Sequence, residues 1–455
     1  MFEKREIKGL WWLPEDDSHE LSGTLNVDKG QVTLETIGHF GRELISETER
    51  EKTYSHDLAT RQRILGFSST GKRITVEGDQ GTPFTEHFPG MPVATYRRSA
   101  ALIGKHFEDD EDIGFDEIKI CASDLNAWTR INGFEYEYEL RKDEEKGFDT
   151  IPKVRVEFDA PDDVVIPLSR GDKALLRFTA QSQGFGTHSE RVSLTQQTAL
   201  HLQFAKRKSL EEVYSYVGQV RNFLTLAVGR PVSILSVTGY QNDYVEGKFD
   251  VKVPIELIWR IPHNPDPPEK TRHPRDMLFT LPEDTAEASK VMRGWFAKQK
   301  RLKPVFNLFF GARFHPDMYL EVRFLTYAQA IETYDYRRRS KPSDLYLAKR
   351  MSDILGTCQT VSKRIIGTDT SDRDTFIKRL KDSRNYYTHY NPKLEDKAAE
   401  GVSLHLLTTQ LQAIIEMSLL RELGFGCRSV DAIFERVRRY NDIQHLKSMV
   451  DTGHT

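Results

Sequence analysis

Over about the first 250 residues apolar and polar positions alternate with period two, interrupted by turn residues about every tenth position, which predicts a run of short strands. Leu21, Gly23, Leu25 and Val27 alternate up to Asp28-Lys29-Gly30, and Val32 and Leu34 resume the pattern, so the segment reads as a hairpin. Ile64 to Phe67, the turn Ser69-Thr70-Gly71-Lys72, and Ile74 with Val76 predict a second one. Phe134, Tyr136, Tyr138 and Leu140 alternate with Glu135, Glu137 and Glu139, the pattern of a half-buried strand with one wet face.

One helix is expected within this region. Ser209 and Glu212 have capping-box spacing, and Leu210, Val213, Val217, Val220 and Leu224 then recur at helical intervals until Gly229, giving a helix that packs on the sheet. Residues 262–276 contain five prolines, which deny ladder donors and helix continuity, so an extended, solvated linker is expected there. Beyond it the period changes to 3.6. Helices are expected over Asp317–Arg338, Leu345–Ile366, Ser371 to about Tyr390, a segment through Leu404, Leu407, Leu411, Ile414 and Ile415 ending near Gly424, and Val430 to about Tyr440. The third is read as opening at Ser371, with Asp374 three residues on. The fold class is therefore α+β: a large β-rich domain over residues 1–261, a linker over 262–276, and an all-α bundle over 277–455.

Composition narrows the functional classes. The 455 residues are 38% hydrophobic and 29% charged, and 65 Lys+Arg nearly cancel 68 Asp+Glu to a formal net charge of −3, so contact with a polyanion requires a local patch. Cys121, Cys358 and Cys427 lie far apart without a C-x-x-C pair, which suggests neither a disulfide framework nor a zinc site and fits a reducing cytoplasm. The charged start MFEKREIKGLWW lacks the apolar core of a signal peptide, and no long apolar run addresses a membrane.

The segment RNYYTHYNP holds the candidate chemistry. Arg384 and His389 sit at the end of the third predicted C-terminal helix, which Pro392 obliges to stop within a turn of His389. The negative end of a helix dipole favours imidazolium, which suits a general acid or base. Five residues rotate by about 500°, leaving Arg384 and His389 roughly 140° apart on one helix. Two copies of the helix meeting about a two-fold axis would bring such groups into one cleft. Asn385 lies one turn before His389, and Arg384 continues the stripe of Ile377, Leu380 and Tyr387 toward a packed or interfacial surface. Tyr386, Tyr387 and Tyr390 are candidates to stack on unpaired RNA bases, and Arg337, Arg338 and Arg339 with Lys341 to hold a phosphate backbone. The ordinary alternatives are that tyrosines at a helix end are core and that an arginine-rich turn is a solvated face.

Arg384-Asn385 followed by His389 just before a Pro resembles the RNase motif of HEPN domains, with a spacer at the short end of the family's range. Gly9-Leu10-Trp11-Trp12-Leu13-Pro14 followed by Leu21-Ser22-Gly23-Thr24-Leu25 resembles the N-terminal domain of ApeA-type antiphage HEPN proteins, and residues 324–339 fit the same architecture. The resemblance implies a homodimeric, metal-independent endoribonuclease that needs no cofactor and halts growth of an infected cell, with the β-rich half as sensor of a phage-derived trigger. It carries Arg384, His389 and Asn385 over as the motif, and Glu332 as a further polar residue of the site. Two other readings stand beside it: a HEPN module that binds nucleotide or protein without catalysis, and a β-rich half that acts while the bundle only dimerises.

Other features point away from chemistry. Ser69–Lys72 lies between strands, so it reads as a hairpin turn and not a phosphate loop. The acidic residues Glu108 to Asp112, with Asp116 and Glu117, lack calcium-loop spacing and read as a solvated loop. His263, His273 and His315 read as exposed loop residues. At least one of Trp11 and Trp12 is expected in the core.

Overall fold

The computed structural model describes residues 4–38, 40, 43–47, 52–55, 63–79, 84–85, 91, 93–108, 112–143, 148–183, 192–339 and 346–452. Its N-terminal half is built on a closed barrel. Strands β1 (Arg5–Leu13), β2 (Asp16–Asp28), β3 (Gln31–Ile37), β4 (Arg63–Ser68), β5 (Arg73–Asp79) and β6 (Val93–Ile103) pair in the order β6-β3-β2-β1-β4-β5, and β5 returns to β6. Both predicted hairpins are present, β2–β3 with Leu25 opposite Leu34 and β4–β5 with Ile64 opposite Val76. Ser69–Lys72 forms the expected turn, in which Gly71 adopts a positive φ of 80°. Trp11, fully buried, fills the barrel with Leu25, Leu34, Ile74 and Tyr96. A side chain at Gly66 would collide with it, since a Cβ there would stand 2.2 Å from the Trp11 ring.

From β6 the sheet continues as an open half through Ile255–Trp259, Ile234–Tyr240, Gly114–Ala122, Ser193–Ser209, Lys173–Gln183 and Val164–Pro167. Helix α1 (Leu210–Val228) opens with the predicted capping box, closes on Gly229 in the left-handed region, and buries Val213, Val217, Val220 and Leu224. Glu117 departs from the solvated-loop expectation. It lies in the strand Gly114–Ala122, is 7% exposed, and meets His201 Nδ1 at 2.7 Å. Residues 109–111 of the same acidic run fall outside the described residues.

Phe134–Asp143 is a strand, but its apolar face is not covered. Among the described residues it pairs with Phe148–Phe158 alone, in a separate two-stranded ribbon, and Tyr136, Tyr138 and Leu140 are 70%, 55% and 60% exposed. Alternation specifies a strand with two unlike faces; whether another layer covers the apolar one depends on the rest of the chain.

The proline-rich segment is largely extended yet strapped down, which differs from a free, solvated linker. Arg221 donates to the Pro262 carbonyl, Asn264 bonds both backbone groups of Ile234, Arg230 reaches the Lys270 carbonyl, and Asp124 accepts from the Arg272 N–H. Asn264 and Asp276 donate to the backbone carbonyls of Ile261 and His273, while side chains of the β-rich half satisfy the backbone groups of Pro262, Lys270 and Arg272.

The helical half comprises α2 (Thr285–Arg313), α3 (Leu320–Arg338), α4 (Leu347–Leu355), α5 (Gln359–Ile366), α6 (Thr370–His389), α7 (Gly401–Glu422), α8 (Cys427–Arg436) and α9 (Asn441–Asp451). Periodicity does not announce α2, whose stripe is interrupted by Gly294 and by Pro304 inside the helix. Its first half belongs to the sheet side, where Ser289 donates to the Pro167 carbonyl and the Trp295 indole donates to the Gln219 carbonyl; Phe309 in its second half meets Tyr327 of α3. The stretch expected from Leu345, itself outside the described residues, divides at Gly356 into α4 and α5. Helix α6 opens two residues earlier than expected, at Asp369, with the Asp372 carboxylate accepting from the Asp369 N–H. Beyond the short turn Arg438–Tyr440, α9 extends the bundle further than predicted.

Cys358 and Cys427 form a disulfide with Cα atoms 5.5 Å apart, against the expectation of unpaired thiols. Distance in sequence had no bearing on it: the fold sets the start of α5 beside the start of α8. Two arginines join the halves. Arg439 donates to the Gly229 carbonyl at the end of α1 and to Glu416 of α7, while Arg436 donates to carbonyls of Met277 and Leu278.

Candidate functional site

Helix α6 buries Phe376, Leu380, Ser383 and Tyr387 against the bundle, and this packing fixes where its motif residues emerge. Arg384 follows the same stripe by one turn and reaches α3, where its Nε lies 3.3 Å from Glu332 Oε1; the two side chains are 36% and 28% exposed. Its Nη1 also donates to Asn385 Oδ1 at 3.3 Å. The structure thus brings Arg384, Asn385 and Glu332 together at a partly open surface between two helices. His389 is the last helical residue and is exposed. Tyr390 ends the helix in the left-handed conformation with φ 47°, and its ring is 61% exposed. Asn391 caps the following turn, Pro392–Lys397, as expected of a chain that the proline diverts.

The tyrosines divide by helix face. Tyr387 is 7% exposed, packs edge-on against Phe324 at 6.0 Å, and donates its hydroxyl to the Ala399 carbonyl at 2.8 Å. Burial pushes that hydroxyl up to about 12. The expected stacking role does not fit Tyr387 in this arrangement, because its ring completes the core and fastens the 392–399 segment to α6. The neighbouring Ser383 hydroxyl accepts from the Ala399 N–H, strengthening the same clasp. Tyr390 and the partly exposed Tyr386, 5.5 Å apart between centroids, are the rings that face outward.

The arginine stretch also divides. Arg338 and Arg339 turn back onto Asp335, whose side chain is fully buried, and Arg339 adds a contact to Asp353. Arg338 is therefore held within the protein by Asp335, which it shares with Arg339 and Arg350, and is not free on the phosphate path. Arg337 is exposed, and Lys341 lies outside the described residues. Sequence spacing could have given this much: Asp335 stands three and four residues before Arg338 and Arg339, the separations at which helical neighbours pair.

No group of three or more His, Cys, Asp or Glu capable of holding a metal ion occurs among the described residues. His263 and His315, read as exposed loop residues, have their rings 3.9 Å apart. A cavity of about 570 Å³ lies in the β-rich half, lined by Arg73, Thr238, Tyr244 and Glu256 among others, and includes no residue of α6. Among the described residues no helix is long and apolar enough to cross a membrane.

A closed β-barrel and open sheet followed by a helical region with this α3–α6 surface define a two-part protein with a HEPN-type C-terminal domain. Residues 6–295 match the ApeA N-terminal domain 1 family and residues 325–428 match the Apea-like HEPN family. The chain belongs to the ApeA family. The first match runs through the proline-rich segment and ends within α2, so the matched N-terminal unit takes in the part of that helix that packs against the sheet. Neither a curated protein nor a solved structure matches the chain.

Proposed function

We propose that this protein is a metal-independent HEPN endoribonuclease that acts in the cytoplasm as a homodimer in antiphage defence, by abortive infection. The observation that supports the reading is the placement of Arg384: partly exposed, held by Glu332 of the neighbouring helix, and five residues before the exposed His389. In the proposed reaction an RNA 2′-oxygen bonds to the adjacent phosphorus while the bond to the 5′-oxygen breaks. An imidazole of His389 takes the 2′-hydroxyl proton or returns one to the leaving oxygen, and Arg384 stabilises charge on the phosphoryl oxygens. Asn385 orients Arg384. Arg384 and His389 leave α6 in different directions, so two copies of α6 across a two-fold axis would complete a cleft. Tyr390 and Tyr386 would receive unpaired bases and Arg337 the backbone.

The ion pair of Arg384 with Glu332 also favours a second reading, a non-catalytic HEPN module in which Arg384 braces the bundle or recognises phosphate. Incubating the purified protein, Arg384→Ala and His389→Ala with total RNA in EDTA distinguishes them. Loss of cleavage by about a hundredfold or more in each variant is expected, the scale of general acid–base catalysis. Equal cleavage by all three ends the catalytic reading. Absence of cleavage by the unmodified protein, with cellular toxicity lost in both variants, supports the binding module.

A further inference from the structure

The ribbon of Phe134–Asp143 and Phe148–Phe158 is the longest of the two-stranded ribbons that stand apart from the main sheet among the described residues. On one face Tyr136 stands opposite Val156 and Tyr138 opposite Val154, and these four side chains are 70%, 54%, 55% and 61% exposed. On the other face Glu137 stands opposite Arg155 and Glu139 opposite Lys153. Each strand has one ladder edge without a partner among the described residues. A lone two-stranded ribbon is marginal in water, and a third strand is what usually makes such a sheet stable.

The two edges differ in charge. Arg155 turns along its own strand to Glu157 at 2.7 Å, which neutralises that edge locally. On the Phe134–Asp143 strand, Glu135 and Glu137 have no ion-pair partner among the described residues, and Glu139 has only an exposed one with Lys153 at 3.5 Å. A strand added beside this edge must put residues opposite both faces at once. It therefore needs apolar side chains against Tyr136, Tyr138 and Leu140, alternating with Lys or Arg against the three glutamates. The chain's own Lys153-Val154-Arg155-Val156 already shows that chemistry on the inner edge.

We propose that the free edge of Phe134–Asp143 is a docking site for an extended segment of a partner protein in which apolar and basic residues alternate, bound by strand addition. The site belongs to the β-rich half and is independent of the catalytic reading of α6.

Fluorescence anisotropy of the purified full-length protein with a labelled Lys-Val-Arg-Val-Lys-Val-Arg-Val peptide tests it. Two controls are a peptide of the same composition with the valines clustered, and an alternating peptide with Glu replacing Lys and Arg. Saturable binding of the first peptide alone is expected, weakening as salt rises. Glu135→Lys/Glu137→Lys should lose at least tenfold in affinity for the basic peptide and gain affinity for the acidic one, a reversal that a misfolded variant cannot produce. Tyr136→Ser/Tyr138→Ser should weaken binding at least tenfold with the charges intact. Equal binding of the clustered peptide, no response to the charge reversal, or no binding at all overturns the proposal. So does self-association of the unmodified protein in light scattering that Tyr136→Ser/Tyr138→Ser abolishes, since the edge would then serve a second copy.

Discussion

Arg384 Nε lies 3.3 Å from Glu332 Oε1, and this contact ties the motif helix α6 to α3 through groups still open to solvent. About a third of each side chain remains exposed, so the pair contributes little to stability, under about 1 kcal/mol after screening. Its effect is directional: it selects one orientation of a guanidinium that would otherwise sample several. Glu332→Gln is expected to lower RNA cleavage about tenfold while leaving the urea midpoint nearly unchanged. Full activity in Glu332→Gln would show that Arg384 needs no such guide.

The half-buried Arg439 has a different energetic weight, because its partner Glu416 is buried. It joins the Gly229 carbonyl at the end of α1 to Glu416, whose side chain is 2% exposed and also accepts from the Tyr440 hydroxyl. Arg439→Met strands the Glu416 carboxylate, and a loss of about 3–5 kcal/mol in chemical denaturation is expected. Adding Glu416→Leu should recover much of it, because two apolar groups replace one unpaired charge.

Acid should weaken the open sheet through Glu117. Burial works to raise this carboxyl, but the hydrogen bond and charge of His201, with Gln203 and Lys252, outweigh it and hold the group at about 2. A depressed carboxyl stabilises the fold above its unfolded value, near 4.5, and the contribution is lost as the pH falls toward 2. The contribution is of order 3 kcal/mol at neutral pH. Urea unfolding should therefore find Glu117→Gln less stable than the unmodified protein at pH 7, with the gap narrowing as the pH falls from about 4.5 toward 2. A gap independent of pH would contradict the assignment.

Closing a loop across a sequence separation of 69 residues, the Cys358–Cys427 bond restricts the unfolded chain. Chain entropy predicts a stabilisation of about 4 kcal/mol. Thermal unfolding of the protein before and after reduction by dithiothreitol should show a lower midpoint when reduced, and Cys358→Ser should be insensitive to the reductant.

Local pattern determined much of this protein. Period two yielded the β2–β3 and β4–β5 hairpins and the strand Phe134–Asp143, Ser209 with Glu212 marked the start of α1, and the shift to period 3.6 separated the helical half. These features depend on neighbours within a few residues, which is the range over which turn chemistry, capping and amphipathicity act. The motif Arg384-Asn385 and His389 was equally legible, because it lies within one helix end. Tertiary structure alone decided what those elements meet. It closed the barrel through β5 and β6, carried α2 across Pro304, left the face of Tyr136 and Tyr138 bare, paired Cys358 with Cys427, and buried Tyr387 while turning Tyr390 outward. A side chain's partner across the fold is set by the packing of whole elements, and no short window of sequence contains that information.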